Sequence, residues 1–103
     1  MPVKEAAGDV KKSASNIDFF CDKAENLLDS KKLTDGKIDA TIMYEPRGIV
    51  FSVMPWNYPF NQVLRSVIPN IIAGNVVILK HASNVPLTAL RIEELFLQAG
   101  IPE

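Results

Sequence analysis

Val3, Ala7, Val10, Ala14, Ile17, Cys21, Ala24 and Leu28 follow one another at an unbroken 4-3-4-3-4-3-4 spacing. Phe20 and Leu27 widen the stripe, so the pattern predicts one long amphipathic helix ending near Ser30. Ala and Cys hold half of these positions and bury little area, which favours packing across a larger domain over a coiled coil. A polar turn at Thr34-Asp35-Gly36 precedes residues 37–44, whose partial alternation predicts a strand. Pro46 and Gly48 break it, and residues 49–54 read as the next strand, closed by Pro55. Residues 60–73 are apolar at helical spacing, with a kink or restart expected at Pro69 and Gly74 as the cap. Residues 75–80 are too continuously apolar for a half-exposed strand and suit the buried parallel kind. Pro86 then opens a last helix over residues 87–98, with Gly100 just past its end.

Strand, helix, strand, helix is a βαβα unit. The expected class is α/β: a long N-terminal helix followed by part of a Rossmann-like parallel sheet, an incomplete domain. In such sheets ligands gather at the carboxyl ends of the strands.

Composition narrows the function. The chain has 103 residues, 48% hydrophobic and 22% charged, with a net charge of −1. That charge gives no electrostatic reason to expect nucleic acid or an anionic membrane as partner. No stretch approaches the roughly 20 apolar residues of a membrane span, and the first residues lack a signal-peptide core, so a cytoplasmic protein is expected. Charge is uneven: residues 1–47 hold 8 basic and 9 acidic side chains and residues 48–103 only 3 and 3, which predicts burial of the second half.

Within this charge-poor second half, Arg65 is the single charge between Gly48 and Leu79. Burying a cation costs several kcal/mol unless an anion meets it. Asn57 sits eight positions earlier in the Met54-Pro55-Trp56-Asn57-Tyr58-Pro59 turn, and Lys80 ends the apolar strand. Both fall where carboxyl strand ends place chemistry. Asn57 could equally accept from the N–H groups that open the following helix. Lys80 could be a solvated strand-end charge, Trp56 a core residue and Arg65 half of a structural ion pair. Cys21, the only cysteine, lies on the apolar stripe with no histidine nearby in sequence and reads as a small buried hydrophobe, not a nucleophile. His81, the only histidine, reads as a structural loop residue. The five glycines are too scattered for G-x-G-x-x-G or a P-loop, so any dinucleotide must be held differently.

Glu45-Pro46-Arg47-Gly48-Ile49-Val50, Pro55-Trp56-Asn57-Tyr58-Pro59-Phe60, Ile68-Pro69, Ala73-Gly74-Asn75-Val76-Val77-Ile78-Leu79-Lys80, Pro86-Leu87-Thr88-Ala89-Leu90 and Ala99-Gly100-Ile101-Pro102 occur in this order. The series resembles the NAD(P)-dependent aldehyde dehydrogenases over essentially the whole chain. Such enzymes run to several hundred residues, and their nucleophilic cysteine and glutamate base lie in a later part. The resemblance therefore implies a fragment: residues 1–103 as a partial NAD(P)-binding domain, with the catalytic domain absent and a parent that is a homo-oligomer.

The resemblance also implies roles. Asn57 would be the oxyanion-hole asparagine, its amide donating to the oxygen of the thiohemiacetal. Val53, Met54, Pro55 and Trp56 would line the cofactor near its ribose and diphosphate, and Lys80, His81, Ala82 and Ser83 would border the adenine ribose. Many members have Lys-Pro-Ser-Glu where this chain has Lys80-His81-Ala82-Ser83. Ser83 would not repel a 2′-phosphate as a glutamate would, so NADP should be usable beside NAD. Succinate-semialdehyde dehydrogenases are similar in carrying an arginine at the offset of Arg65, which there engages the substrate's distal carboxylate. The expected reaction is oxidation of such an aldehyde with hydride transfer to NAD(P). The alternative is a non-catalytic module that pairs with a full-length homologue.

Overall fold

Pro and Gly punctuate the chain as its local chemistry requires. A computed structural model describes residues 1–102. It runs α1 (Val3–Leu28), β1 (Lys31–Thr34), β2 (Asp39–Ile42), β3 (Ile49–Val53), α2 (Pro59–Ile72), β4 (Val76–Lys80) and α3 (Pro86–Gln98). Proline opens both α2 and α3, where its missing N–H costs nothing. Both helices end in a Schellman motif on a glycine with positive φ. Gly74 donates to Ile71 O while Asn75 donates to Asn70 O, and Gly100 donates to Leu97 O while Ile101 donates to Phe96 O.

β3 and β4 pair in parallel, Ile49 opposite Val76 through Val53 opposite Lys80. Asn75 sets this register: its Oδ1 accepts from Arg47 N–H (2.6 Å) and Gly48 N–H (3.0 Å), and Val76 N–H donates to Gly48 O at 2.7 Å. The core lies on one face of this pair. Val63, Leu64, Val67 and Ile68 of α2 and Ile92 of α3 are buried, with Ile17 and Phe20 of α1, Val77 and Leu79 packed against them. Ser52 is the buried polar residue on that face, and its hydroxyl lies 3.3 Å from that of Ser66 on α2.

Four expectations change. The βαβα unit forms, but burial of the second half is only partial: Ile49, Phe51, Val53, Val76 and Ile78 form an open face, Ile49 being 70% and Phe51 64% exposed. α2 covers the other face, and nothing among the described residues covers this one. Residues 37–44 contain only the second half of an antiparallel hairpin, β1 with β2, whose residues are all exposed. Pro69 neither ends nor restarts α2, because it stands in the last turn and removes a single backbone bond there.

The fourth change concerns α1, which forms as one helix but buries a different face. Asp9 and Ser13 are its buried residues, with Asn16, Ile17, Phe20, Ala24 and Leu28 half-buried. At 3.6 residues per turn, this face is rotated roughly 70° from the expected apolar stripe. Cys21 is therefore exposed, contrary to its expected burial. The reason is tertiary: polar groups of α1 are needed at the start of α2. Among the described residues, no helix is long and apolar enough to cross a membrane and no cluster of side chains could hold a metal ion.

Candidate functional site

The site region lies at the carboxyl end of the β3–β4 pair. Val53 and Lys80 are the terminal partners, and Met54 N–H extends the ladder to Lys80 O at 3.0 Å. Strand alternation places Val53 and Lys80 on the open face together. Met54 is half-buried, Pro55 exposed, and Trp56, at 60% exposure, stands apart from the core of the described residues.

Asn57 is exposed in the turn before α2. The helix begins at Pro59 with Tyr58 as N-cap, and Tyr58 supplies no side-chain cap. Pro59 has no N–H, so the groups awaiting a cap are those of Phe60 and Asn61. Asp9 of α1 takes both: Oδ2 accepts from Phe60 N–H at 3.0 Å and Oδ1 from Asn61 N–H at 3.1 Å. The carboxylate is 4% exposed and sits on the positive end of the helix dipole. Asn16 Nδ2 adds a bond to Asn61 Oδ1 at 2.7 Å. The capping alternative for Asn57 is thereby removed.

This arrangement also bears on the cofactor. A dinucleotide diphosphate conventionally occupies the N–H groups opening the helix after the first strand. In α2 an internal anion already holds them. The strand ends beside it are open: Val53 offers an apolar surface there and Lys80 an exposed cation.

Beyond Lys80 the chain turns inward. His81 is 9% exposed; its Nδ1 accepts from Ala82 N–H at 2.8 Å, so the ring proton is on Nε2, which lies 3.0 Å from Pro59 O. With both nitrogens engaged, His81 has no free lone pair for base catalysis. Ala82 is half-buried and Ser83 exposed. The loops after β3 and β4 converge: Trp56 and Asn57 share with Asn84 and Val85 an open depression of about 460 Å³, lined also by Met1 and by Glu5 of α1.

Arg65 does not line this depression. It is exposed on α2 and makes no ion pair among the described residues, whose one salt bridge joins Arg91 to Glu94. Its expected burial is corrected. Asn57 lies in the turn before α2, outside the helix that carries Arg65.

The profile of the aldehyde dehydrogenase family matches residues 1–103. The chain belongs to the aldehyde dehydrogenase family. It is 46% identical over 101 residues to a protein of Synechocystis sp. described as a probable succinate-semialdehyde dehydrogenase (NADP(+)), covering 98% of this chain and 22% of that one. It is 38% identical over 102 residues to the Escherichia coli succinate semialdehyde dehydrogenase (NAD(P)+) Sad, covering 99% and 22%. The crystal structure of the Streptococcus pyogenes succinic semialdehyde dehydrogenase in complex with NADP+ superimposes with a TM-score of 0.90 at 40% identity, over 94% of this chain and 21% of that one. The chain thus spans about a fifth of the length of the aldehyde dehydrogenases it matches.

Asp9, Asn16, Asn61 and the Pro59 carbonyl escaped the sequence reading. One signal was available: Tyr58-Pro59 opens a helix without a capping side chain, so an acceptor had to come from elsewhere.

Proposed function

We propose that residues 1–103 are part of the NAD(P)-binding domain of a succinate-semialdehyde dehydrogenase that uses NADP and also accepts NAD. The observation that carries this is Asn57: it stands just past the carboxyl end of β3, and Asp9 relieves it of capping α2. Its amide is left to donate to the carbonyl oxygen of the aldehyde as negative charge develops there. The bound nicotinamide supplies the hydride acceptor. Val53, Met54, Pro55 and Trp56 bind along its ribose and diphosphate side. Lys80 and Ser83 border the adenine ribose, where a serine tolerates a 2′-phosphate. Arg65, which makes no ion pair among the described residues, meets the distal carboxylate of the substrate.

The cysteine nucleophile and its base come from outside these residues. Cys21 is an exposed residue of α1, and both nitrogens of His81 are committed to the backbone. The purified chain alone should give no reduced NADP with succinate semialdehyde. Turnover that disappears in Cys21→Ala would overturn that assignment. The positive test is a chimera in which residues 1–102 replace the matching stretch of the Synechocystis relative. It should oxidise succinate semialdehyde with NADP, and Asn57→Ala should lower kcat by roughly 100- to 1000-fold, as loss of one oxyanion donor does. An Asn57→Ala chimera as active as its parent refutes the role.

A further inference from the structure

The loop that would carry the oxyanion donor and the loop that would border the cofactor ribose belong to different strand ends, yet one side chain ties them. His81 follows Lys80, and Ala82 and Ser83 follow it in turn. Its imidazole is 9% exposed and reaches back to the first residue of α2, where Nε2 lies 3.0 Å from Pro59 O. Ala82 N–H, which can only donate, lies 2.8 Å from Nδ1. That bond fixes the tautomer, so Nε2 carries the proton and donates to Pro59 O. One ring thus shapes its own loop through Nδ1 and grips the other through Nε2. Pro59 is two residues beyond Asn57.

The main-chain bond from Met54 N–H to Lys80 O joins the same two segments at the strand ends. It lies three residues before Asn57 and cannot set the far side of the turn. Asp9 holds the far side from α1, through Phe60 and Asn61, but makes no bond to the β4 loop. The His81 bridge is the side-chain link that connects the far side of the Asn57 turn to Lys80–Ser83.

We infer that His81 is a positioning residue, holding the Asn57 amide at a fixed distance from the ribose-bordering loop so that the aldehyde oxygen and the hydride acceptor meet in one geometry. The inference rests on the dehydrogenase reading above. It assigns His81 no proton transfer and no contact with the reacting atoms.

Amide isosteres separate the two bonds. In His81→Asn the side-chain oxygen falls near the place of Nδ1, keeping the Ala82 bond while losing the bridge. In His81→Gln the amide nitrogen falls near the place of Nε2, keeping the bridge while losing the Ala82 bond. In the full-length chimera, His81→Asn should lower kcat about tenfold while the NADP Kd, measured by titration without substrate, stays within about threefold. His81→Gln should keep kcat within about threefold of the parent, and His81→Ala should lose both kcat and NADP affinity. Melting temperatures of the three variants identify any loss that is simply instability. An Asn variant with unchanged kcat, or Asn and Gln variants with equal losses that follow melting temperature, would overturn the inference while leaving the dehydrogenase reading in place. A parent chimera that binds NADP but does not oxidise succinate semialdehyde would overturn that reading, and this inference with it.

Discussion

Asp9 is the residue on which the proposed site turns, and removing it has a calculable effect. In Asp9→Ala the N–H groups of Phe60 and Asn61 lose their acceptors at 3.0 and 3.1 Å inside a contact that buries the carboxylate to 4% exposure. Hydrogen bonds to a charged partner are each worth about 1.5–3 kcal/mol, against which the variant recovers the cost of burying a carboxylate. Single capping side chains show the balance, about 0.5–2 kcal/mol. Asp9 serves two N–H groups away from water, so about 2–4 kcal/mol is expected for opening the first turn of α2. That is roughly a 30- to 900-fold faster hydrogen exchange for a segment that opens locally. Asp9→Asn keeps one acceptor oxygen and loses the charge, so it should fall between parent and Ala. Hydrogen–deuterium exchange of a peptide covering residues 58–66 in the chimera reads the effect, with a peptide from α3 as internal reference. Exchange within about threefold of the parent in Asp9→Ala would refute the reasoning, since the loss of one typical cap, about 1 kcal/mol, already gives roughly fivefold.

Three further outcomes are expected. In the chimera, Arg65→Met should reduce kcat/KM for succinate semialdehyde about 10- to 150-fold and leave an uncharged aldehyde of similar length nearly unaffected; equal losses reject carboxylate recognition. Ser83→Glu should weaken NADP binding much more than NAD binding, because it sets a carboxylate where the 2′-phosphate would lie, and equal losses in titration would move Ser83 away from the ribose. In the β1–β2 turn, Asp35 Oδ1 accepts from Ile38 and Lys37 N–H, both at 2.9 Å, and these bonds, Ile38 first, hold its carboxyl below the ordinary value of 3.8. A lowered carboxyl stabilises the turn fully above 3.8 and progressively less as pH falls through its folded value. Amide exchange at Lys37 and Ile38, corrected for intrinsic pH dependence, should therefore rise only in acid, and an Asp35→Asn chimera should lack that rise.

What was legible in the chain is what local chemistry decides. Proline at the first helical position and glycine past the last one delimit α2 and α3, and the unbroken apolar run of β4 marks a parallel strand. The same run signals cover on both faces, of which the described residues supply one. Residues apolar on both sides of a strand are suited to cover on both faces, and α2 supplies it to one face only, leaving Ile49, Phe51, Val53, Val76 and Ile78 bare. β1 went unseen because Lys31-Lys32 heads a four-residue strand with no buried side chain, held by its pairing and the turn alone. On α1 the apolar stripe is continuous yet largely exposed, while the buried face opens with Asp9, Ser13 and Asn16. Hydrophobic periodicity has no means of finding a helix face chosen for its hydrogen bonds, in which Asp9 accepts and Ser13 and Asn16 donate.

That polar face links two features of the sequence that look independent. The chain lacks a glycine-rich loop after β3, and it places an asparagine before a helix that starts on proline. A phosphate-binding turn needs glycines for close approach and free N–H groups at the helix start to meet the anion. With Asp9 seated on the N–H groups of Phe60 and Asn61, a diphosphate there would face a buried carboxylate, and the glycines would have no ligand to admit. The same bonds satisfy the helix without help from the turn, so the exposed Asn57 is not needed as a cap. One carboxylate on a distant helix thus disfavours phosphate at the start of α2, and under the proposed function it leaves the neighbouring turn to a neutral donor, the group an aldehyde oxygen needs as it becomes an oxyanion.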